Sequence, residues 1–216
     1  MEKLEEIKRF RYSLVLPLVF VLLLWLIKIV DFSERLDLYL FGVFPRNIKG
    51  LFGIIFSPLL HSDFNHLISN SIPLLFLGTG IIYFYRDLAY KVIGIIWLVS
   101  GICVWIIARD SYHIGASGLI YGIASFLFLS GVIRKDYRLA SISLLVVFLY
   151  GGLVWGIFPF FPQISWEYHF FGCLSGFFAA VIYRKKGPKP IEWSWEKEEE
   201  VNDDDNSEDL TMKLSE

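Results

Sequence analysis

"HIGASGLIYGIASFLFLSGVI", residues 113–133, contains no Asp, Glu, Lys or Arg and closes on Arg134. Its apolar residues run on without alternation. A strand with one wet face alternates, and a membrane barrel strand does so over about ten residues. A continuous apolar run of about 20 residues is what an α-helix needs to cross a hydrocarbon core about 30 Å thick. The stretch therefore predicts a transmembrane helix over 115–133. Ser117, set between small residues, then poses a question. A hydroxyl at membrane depth either packs a helix or reacts.

The same pattern recurs along the chain. Apolar runs at Ser13–Val30, His66–Tyr85, Tyr90–Ala108, Gly115–Ile133, Leu139–Phe158 and His169–Tyr183 make six predicted spans. A hydrophobic fraction of 55% and a mean hydropathy of +0.54 leave too few polar residues to cover a water-soluble surface. The fold class is all-α, a polytopic membrane bundle. The charged start "MEKLEEIKRFRY" precedes an apolar stretch too long for a cleaved signal, with no small-residue cleavage site, so the first span is uncleaved. Cys103 and Cys173 both fall inside predicted helices and read as free thiols.

Thirteen Lys and Arg residues flank the spans on one side and four on the other. That bias places both termini in the cytoplasm, with helices two, four and six running inward. The expected organisation is a cytoplasmic segment 1–12, a membrane domain 13–185 and a tail 186–216. The acidic run from Glu196 to Asp209 repels itself, so the tail is expected to be disordered, with Trp193 and Trp195 as a weak motif. Residues 31–60 mix aromatic and aliphatic side chains with scattered charges around Pro45, Gly50 and Pro58. They suit short helices in the outer interface. Phe160, Phe161 and Trp166 give the last outer loop a similar character. No internal repeat appears, which removes the sequence pointer to an inverted-repeat transporter.

Polar side chains at membrane depth are expensive and point to function. His61, His66, His113 and His169 all lie near the outer ends of inward-running helices, level with Ser117. Ser117 starts a helix, where unpaired N–H groups and the positive dipole end favour an anion. Gly118 and Gly122 form one GxxxG face, and Gly172 and Gly176 form another, one turn below His169. If the faces meet, Ser117 and His169 meet too, and an imidazole can activate the hydroxyl. His66 and Asn70, four apart on one helix face, can both donate to an oxyanion. Those two and His61, His61 in particular, can instead tie the long loop to helix two, and each GxxxG can simply pack. His61 and His66, five apart, face differently, and no Glu intervenes as in HExxH, so no metal is assigned.

H-x4-H-x3-N, G-x-S-G and H-x2-G-x3-G follow in order on helices two, four and six. In "FSPLLHSDFNHL", "GASGLIYG" and "YHFFGCLSG" the chain resembles the rhomboid intramembrane serine proteases over about residues 13–185. The resemblance implies Ser117 as nucleophile and His169 as general base, a dyad without a carboxylate. It implies an oxyanion site of His66, Asn70 and the Ser117 backbone N–H. Tyr121 would orient the His169 ring, and His61 would support the oxyanion side. Gly115, Gly118, Gly172 and Gly176 would shape and pack the site. It further implies a short fourth helix under a water-filled depression, transmembrane protein substrates in the lipid bilayer, no cofactor and no nucleic acid.

Many members carry a Trp-Arg pair bracing the first outer loop, where this chain has Phe52 and Gly53. Its absence questions how the loop is held. Asp63 and Asp110 read as turn or cap residues, and His113 as a loop residue at the rim. Cys173 lies a turn deeper than His169, without a facing base. The expected function is cleavage of a peptide bond in or near transmembrane segments, with a compact core pointing to a bacterial plasma membrane. The alternative is a non-catalytic relative that binds or escorts membrane clients, and such proteins commonly lack the Ser or His. A transporter is disfavoured because no candidate sits at the midplane.

Overall fold

The computed structural model describes residues 2–149, 155–161 and 163–188. Among them are seven α-helices: α1 (Glu2–Glu34), α2 (Gly53–Phe56), α3 (Phe64–Tyr85), α4 (Asp87–Ile107), α5 (Ser117–Arg134), α6 (Tyr137–Leu149) and α7 (Trp166–Ile182). Helices α1, α3, α4 and α5 are long and apolar enough to cross a membrane, while α6 and α7, with 13 and 17 residues, are shorter. The chain is an all-helical membrane bundle.

Several boundaries differ from the expected spans. The charged start is itself helical, because α1 runs from Glu2, with a Glu5–Lys8 pair at 2.9 Å along its exposed face. Helix α1 also runs past Val30, and a Lys28–Asp31 pair at 2.8 Å, its lysine buried, holds that extra turn. Helix α7 begins at Trp166, so His169 lies in its first turn instead of opening it. The N–H groups of Tyr168 and His169 both bond to the Ser165 carbonyl there. Of the run Leu139–Phe158, residues 150–154 lie outside the described residues, and Gly156 and Ile157 form a turn instead of helix. Residues 189–216, with Trp193, Trp195 and the acidic run, also lie outside them.

Helix α5 forms the centre. In its apolar window 72% of residues are buried, against 28% for α1 and for α4. It packs on α7 through the two glycine faces. A Cβ at Gly172 would overlap the Gly118 carbonyl, and one at Gly176 would overlap the Gly122 carbonyl. Only hydrogen side chains let two backbones come this close. At one end of the bundle Arg9 donates to the Tyr83 carbonyl at 2.9 Å, and Arg134 to the Arg184 carbonyl at 3.1 Å. The start of α1 therefore meets the end of α3, and the ends of α5 and α7 meet beside them. At the opposite end Trp25 donates to Ser71 at 3.1 Å and Lys28 to the Ser62 carbonyl at 3.0 Å.

The region before α3 contains 3-10 turns at Leu38–Phe41, Lys49–Leu51 and Ser57–Leu59 around α2. Helix α4 and the loop after it brace this region. Trp97 donates to the Ile54 carbonyl and Trp105 to the Asn47 carbonyl, each at 2.9 Å. Arg46 donates to the Ala108 carbonyl at 2.8 Å and pairs with Asp110. Val43 and His113 exchange both backbone hydrogen bonds, at 3.0 and 2.8 Å. At Gly53 a Cβ would overlap the Gly42–Val43 backbone. No side chain fits at the second position of the family's pair, and backbone-directed tryptophans and Arg46 hold the loop.

Candidate active site

Ser117 is the first residue of α5, placed by the turn at Gly115, whose φ of +111° an L side chain rarely adopts. The Gly115 N–H donates to the Ser57 carbonyl at 2.9 Å, which ties this turn to the first loop. At the first helical position the Ser117 N–H has no intrahelical acceptor and is free for an anion. Helix α7, held against α5 by the glycine contact, brings His169 over the turn. Both side chains are buried, each 8% exposed.

His169 Nε2 lies 2.8 Å from Ser117 Oγ, and His169 Nδ1 lies 2.9 Å from the Gly156 carbonyl. A carbonyl only accepts, so Nδ1 carries the proton. In a neutral ring Nε2 is then the acceptor and takes the Ser117 hydrogen. That is the tautomer a general base requires. Tyr121 stacks on the His169 ring, centroids 4.3 Å apart and planes 13° apart. Imidazole orientation thus comes from a backbone carbonyl and a ring face, with no carboxylate on the ring among the described residues.

Helix α3 supplies the opposite wall. Asp63 caps it, its Oδ1 accepting the His66 N–H at 2.8 Å. The Ser62 hydroxyl, followed by that N–H, holds the Asp63 carboxyl below its ordinary range. A Cβ at Gly115 would lie 2.7 Å from His66 Nε2 and 3.7 Å from Ser117 Oγ. His66 Nε2 therefore sits at the turn that presents Ser117. Asn70 donates to the His66 carbonyl at 2.7 Å, and its amide nitrogen has a second hydrogen left. His61 packs edge-on to His66, with centroids 5.0 Å apart, and burial holds its pKa down to about 3. It stands beside His66 as an uncharged support. A cavity of about 1900 Å³ joins Ser117, His169, His66 and Asn70 to exposed residues such as Phe32 and Tyr112. Helix α5, about 27 Å long at 18 residues, lies near the lower limit of a membrane span.

His113 is not at the rim. It is 1% exposed, with Nδ1 2.5 Å from Ser165 Oγ and Nε2 3.1 Å from the Arg109 carbonyl. It locks the Ser117 loop to the start of α7, and burial lowers its pKa. Asp110 pairs with Arg46, and the buried Glu167 faces Arg109 at 3.3 Å, so neither addresses His169. Sequence reading missed three contributors. The Gly156 carbonyl leaves no trace in residue type. Ser62 is one hydroxyl in a loop. Lys28 did carry a signal, an uncommon cation inside a span. It is buried at the cavity wall, bonded to Asp31 and the Ser62 carbonyl.

A family model described as Rhomboid domain matches residues 49–186. The chain is 38% identical over 177 residues to an uncharacterised protein of Mycobacterium tuberculosis, covering 76% of this chain and 72% of that one. To an uncharacterised protein of Mycobacterium leprae it is 33% identical over 190 residues, covering 82% and 75%. To RHOMBOID-like protein 5 of Arabidopsis thaliana it is 26% identical over 133 residues, covering 57% and 41%.

Proposed function

This chain belongs to the Rhomboid family, and from that premise we propose that it is a serine endopeptidase of the membrane. It hydrolyses a peptide bond in or near transmembrane segments of other proteins. The 2.8 Å hydrogen bond from Ser117 Oγ to the acceptor nitrogen of His169, in a cavity that His66 and Asn70 also line, carries this reading. A helix-packing serine has no need of an oriented imidazole.

Ser117 Oγ attacks the scissile carbonyl carbon while its proton passes to His169 Nε2. The carbonyl oxygen becomes an anion facing the Ser117 N–H, Asn70 Nδ2 and His66 Nε2. His169 returns the proton to the amide nitrogen as the C–N bond breaks, leaving an acyl-Ser117 ester. Water then adds to that ester, giving its proton to His169, and the acid and Ser117 are released. The substrate helix must unwind to enter, because a helical carbonyl is already paired. No cofactor takes part.

Residues 13–185 form the catalytic domain, flanked by 1–12 and by the tail 186–216. Both termini are cytoplasmic and the site opens to the outer face of a bacterial plasma membrane. The detergent-purified chain should cleave a generic transmembrane substrate. Ser117→Ala and His169→Ala should each lower turnover by about 10⁴ or more while remaining folded. Substantial turnover in either variant overturns the dyad. A wild type that binds the substrate without cutting it is instead the escort protein of the alternative reading.

A further inference from the structure

We propose that Asp63, acting through Ser62, sets the protonation state of His66, so that this histidine meets the oxyanion as an imidazolium. The proposal rests on the proteolytic reading above and assigns Asp63 a positioning role beyond its helix cap. Asp63 itself touches no reacting atom.

The geometry is a chain of three groups. Ser62 Oγ donates to Asp63 Oδ2 at 2.7 Å, and the same oxygen lies 3.2 Å from His66 Nδ1. A hydroxyl has one hydrogen, and a carboxylate can only accept. The hydrogen is therefore committed to Asp63, and Ser62 offers His66 only a lone pair. His66 Nδ1 must be the protonated nitrogen. In a neutral ring that leaves Nε2 bare. Yet Nε2 is the atom beside Gly115, where the substrate oxygen has to sit.

A bare nitrogen repels an anion. A ring that has taken a second proton, from solvent through the cavity, donates from Nε2 with a charge-assisted hydrogen bond. No substrate bond forms or breaks at His66, and the proton stays on the ring while the anion exists. Desolvation of the ring opposes the charge, while the Asp63 carboxylate, one hydroxyl away, and the anion itself both favour the cation. Other groups facing His66 divide. From α1, Lys28 opposes it, but Lys28 is paired to Asp31 at 2.8 Å. His61, from the preceding loop, is neutral. His169 from α7, under Tyr121 of α5, is neutral in the resting tautomer. Asp63 is the carboxylate on this side, and its hydrogen bonds come from the Ser62 hydroxyl and from N–H groups at the start of α3.

The test needs no cleavage. In detergent-solubilised Ser117→Ala protein with ¹⁵N-labelled histidine, the two ring nitrogens of His66 are read separately, with His66→Gln assigning the signals. Nδ1 should be protonated and Nε2 bare when the ring is neutral. Asp63→Asn keeps a capping oxygen, but its amide donates to Ser62 and frees that hydroxyl for Nδ1. The proton should then move to Nε2. Ser62→Ala, which leaves the cap intact, should shift the ring the same way. In the active chain, kcat should fall about tenfold per pH unit above the His66 titration. That limb should vanish in Asp63→Asn with KM unchanged. A neutral His66 protonated at Nε2 in the unsubstituted chain overturns the proposal, as does an Asp63→Asn protein with unchanged tautomer and pH profile. The tautomer readout separates this failure from failure of the proteolytic reading, which Ser117→Ala turnover decides alone.

Discussion

Replacing Gly115 by Ala puts one methyl group where the site is tightest. Its carbon would lie 2.7 Å from both Cε1 and Nε2 of His66, whereas ordinary carbon contacts begin at about 3.5 Å. The ring must retreat by about 0.8 Å, or the turn carrying Ser117 must shift by as much. The backbone adds to this, since φ is +111° at this residue and such strain costs about 1–3 kcal/mol. A displacement of about 1 Å at a reacting centre lowers rates about 10²-fold, and losing one oxyanion donor lowers them 10²–10³-fold, again roughly. Gly115→Ala should therefore reduce kcat on a transmembrane substrate by about 10²-fold or more, with a modest loss of thermal stability. Gly94→Ala is the matched control, because nothing lies within 4 Å of its new carbon. Both variants would be purified in detergent, checked by thermal melting and assayed together. A folded Gly115→Ala protein within threefold of wild-type kcat (about 0.7 kcal/mol) would refute the close packing of His66 on this turn.

Tyr121→Phe keeps the ring face on His169 and should retain most activity, while Tyr121→Ala should lose about tenfold or more in kcat; equal rates would exclude an orienting role. Trp97→Phe strands the Ile54 carbonyl and should lower unfolding stability by about 1–3 kcal/mol in a denaturant titration, an unchanged midpoint arguing against the brace. His61 has a folded pKa of about 3 against an ordinary 6.5, so the unfolded chain binds the extra proton between those values. Its contribution to stability is complete above pH 6.5 and is lost as pH falls through that window, by at most about 1.4 kcal/mol per unit. Unfolding measured from pH 7 to pH 5 should show a shallower acid loss in His61→Phe, and parallel curves would refute the buried neutral ring.

Much of the site was legible because its chemistry depends on spacing along single helices. His66 and Asn70 share a face of α3 at four residues apart, and Tyr121 follows Ser117 by the same interval on α5. The glycines of α5 and α7 repeat at four as well, and the structure packs them backbone to backbone. Boundaries were less legible. The polar first turns of α1 and the start of α7 at Trp166 are set by hydrogen bonds and ion pairs, which hydropathy does not register. His113 was misplaced at the rim for a related reason. A loop histidine looks solvated in sequence, and only Ser165 and the Arg109 carbonyl make its burial affordable.

Residue order alone carried the bundle and its candidate chemistry, because apolar run length matches bilayer thickness and helical period puts residues four apart on one face. It could not say which nitrogen of any histidine holds the proton. That depends on what the other nitrogen touches: the Gly156 carbonyl for His169, the Ser62 oxygen for His66. Nor could it say how the first loop stays in place without the family's Trp-Arg pair. Those bonds run to main-chain carbonyls, which every residue possesses, so only the packed chain decides which of them are used.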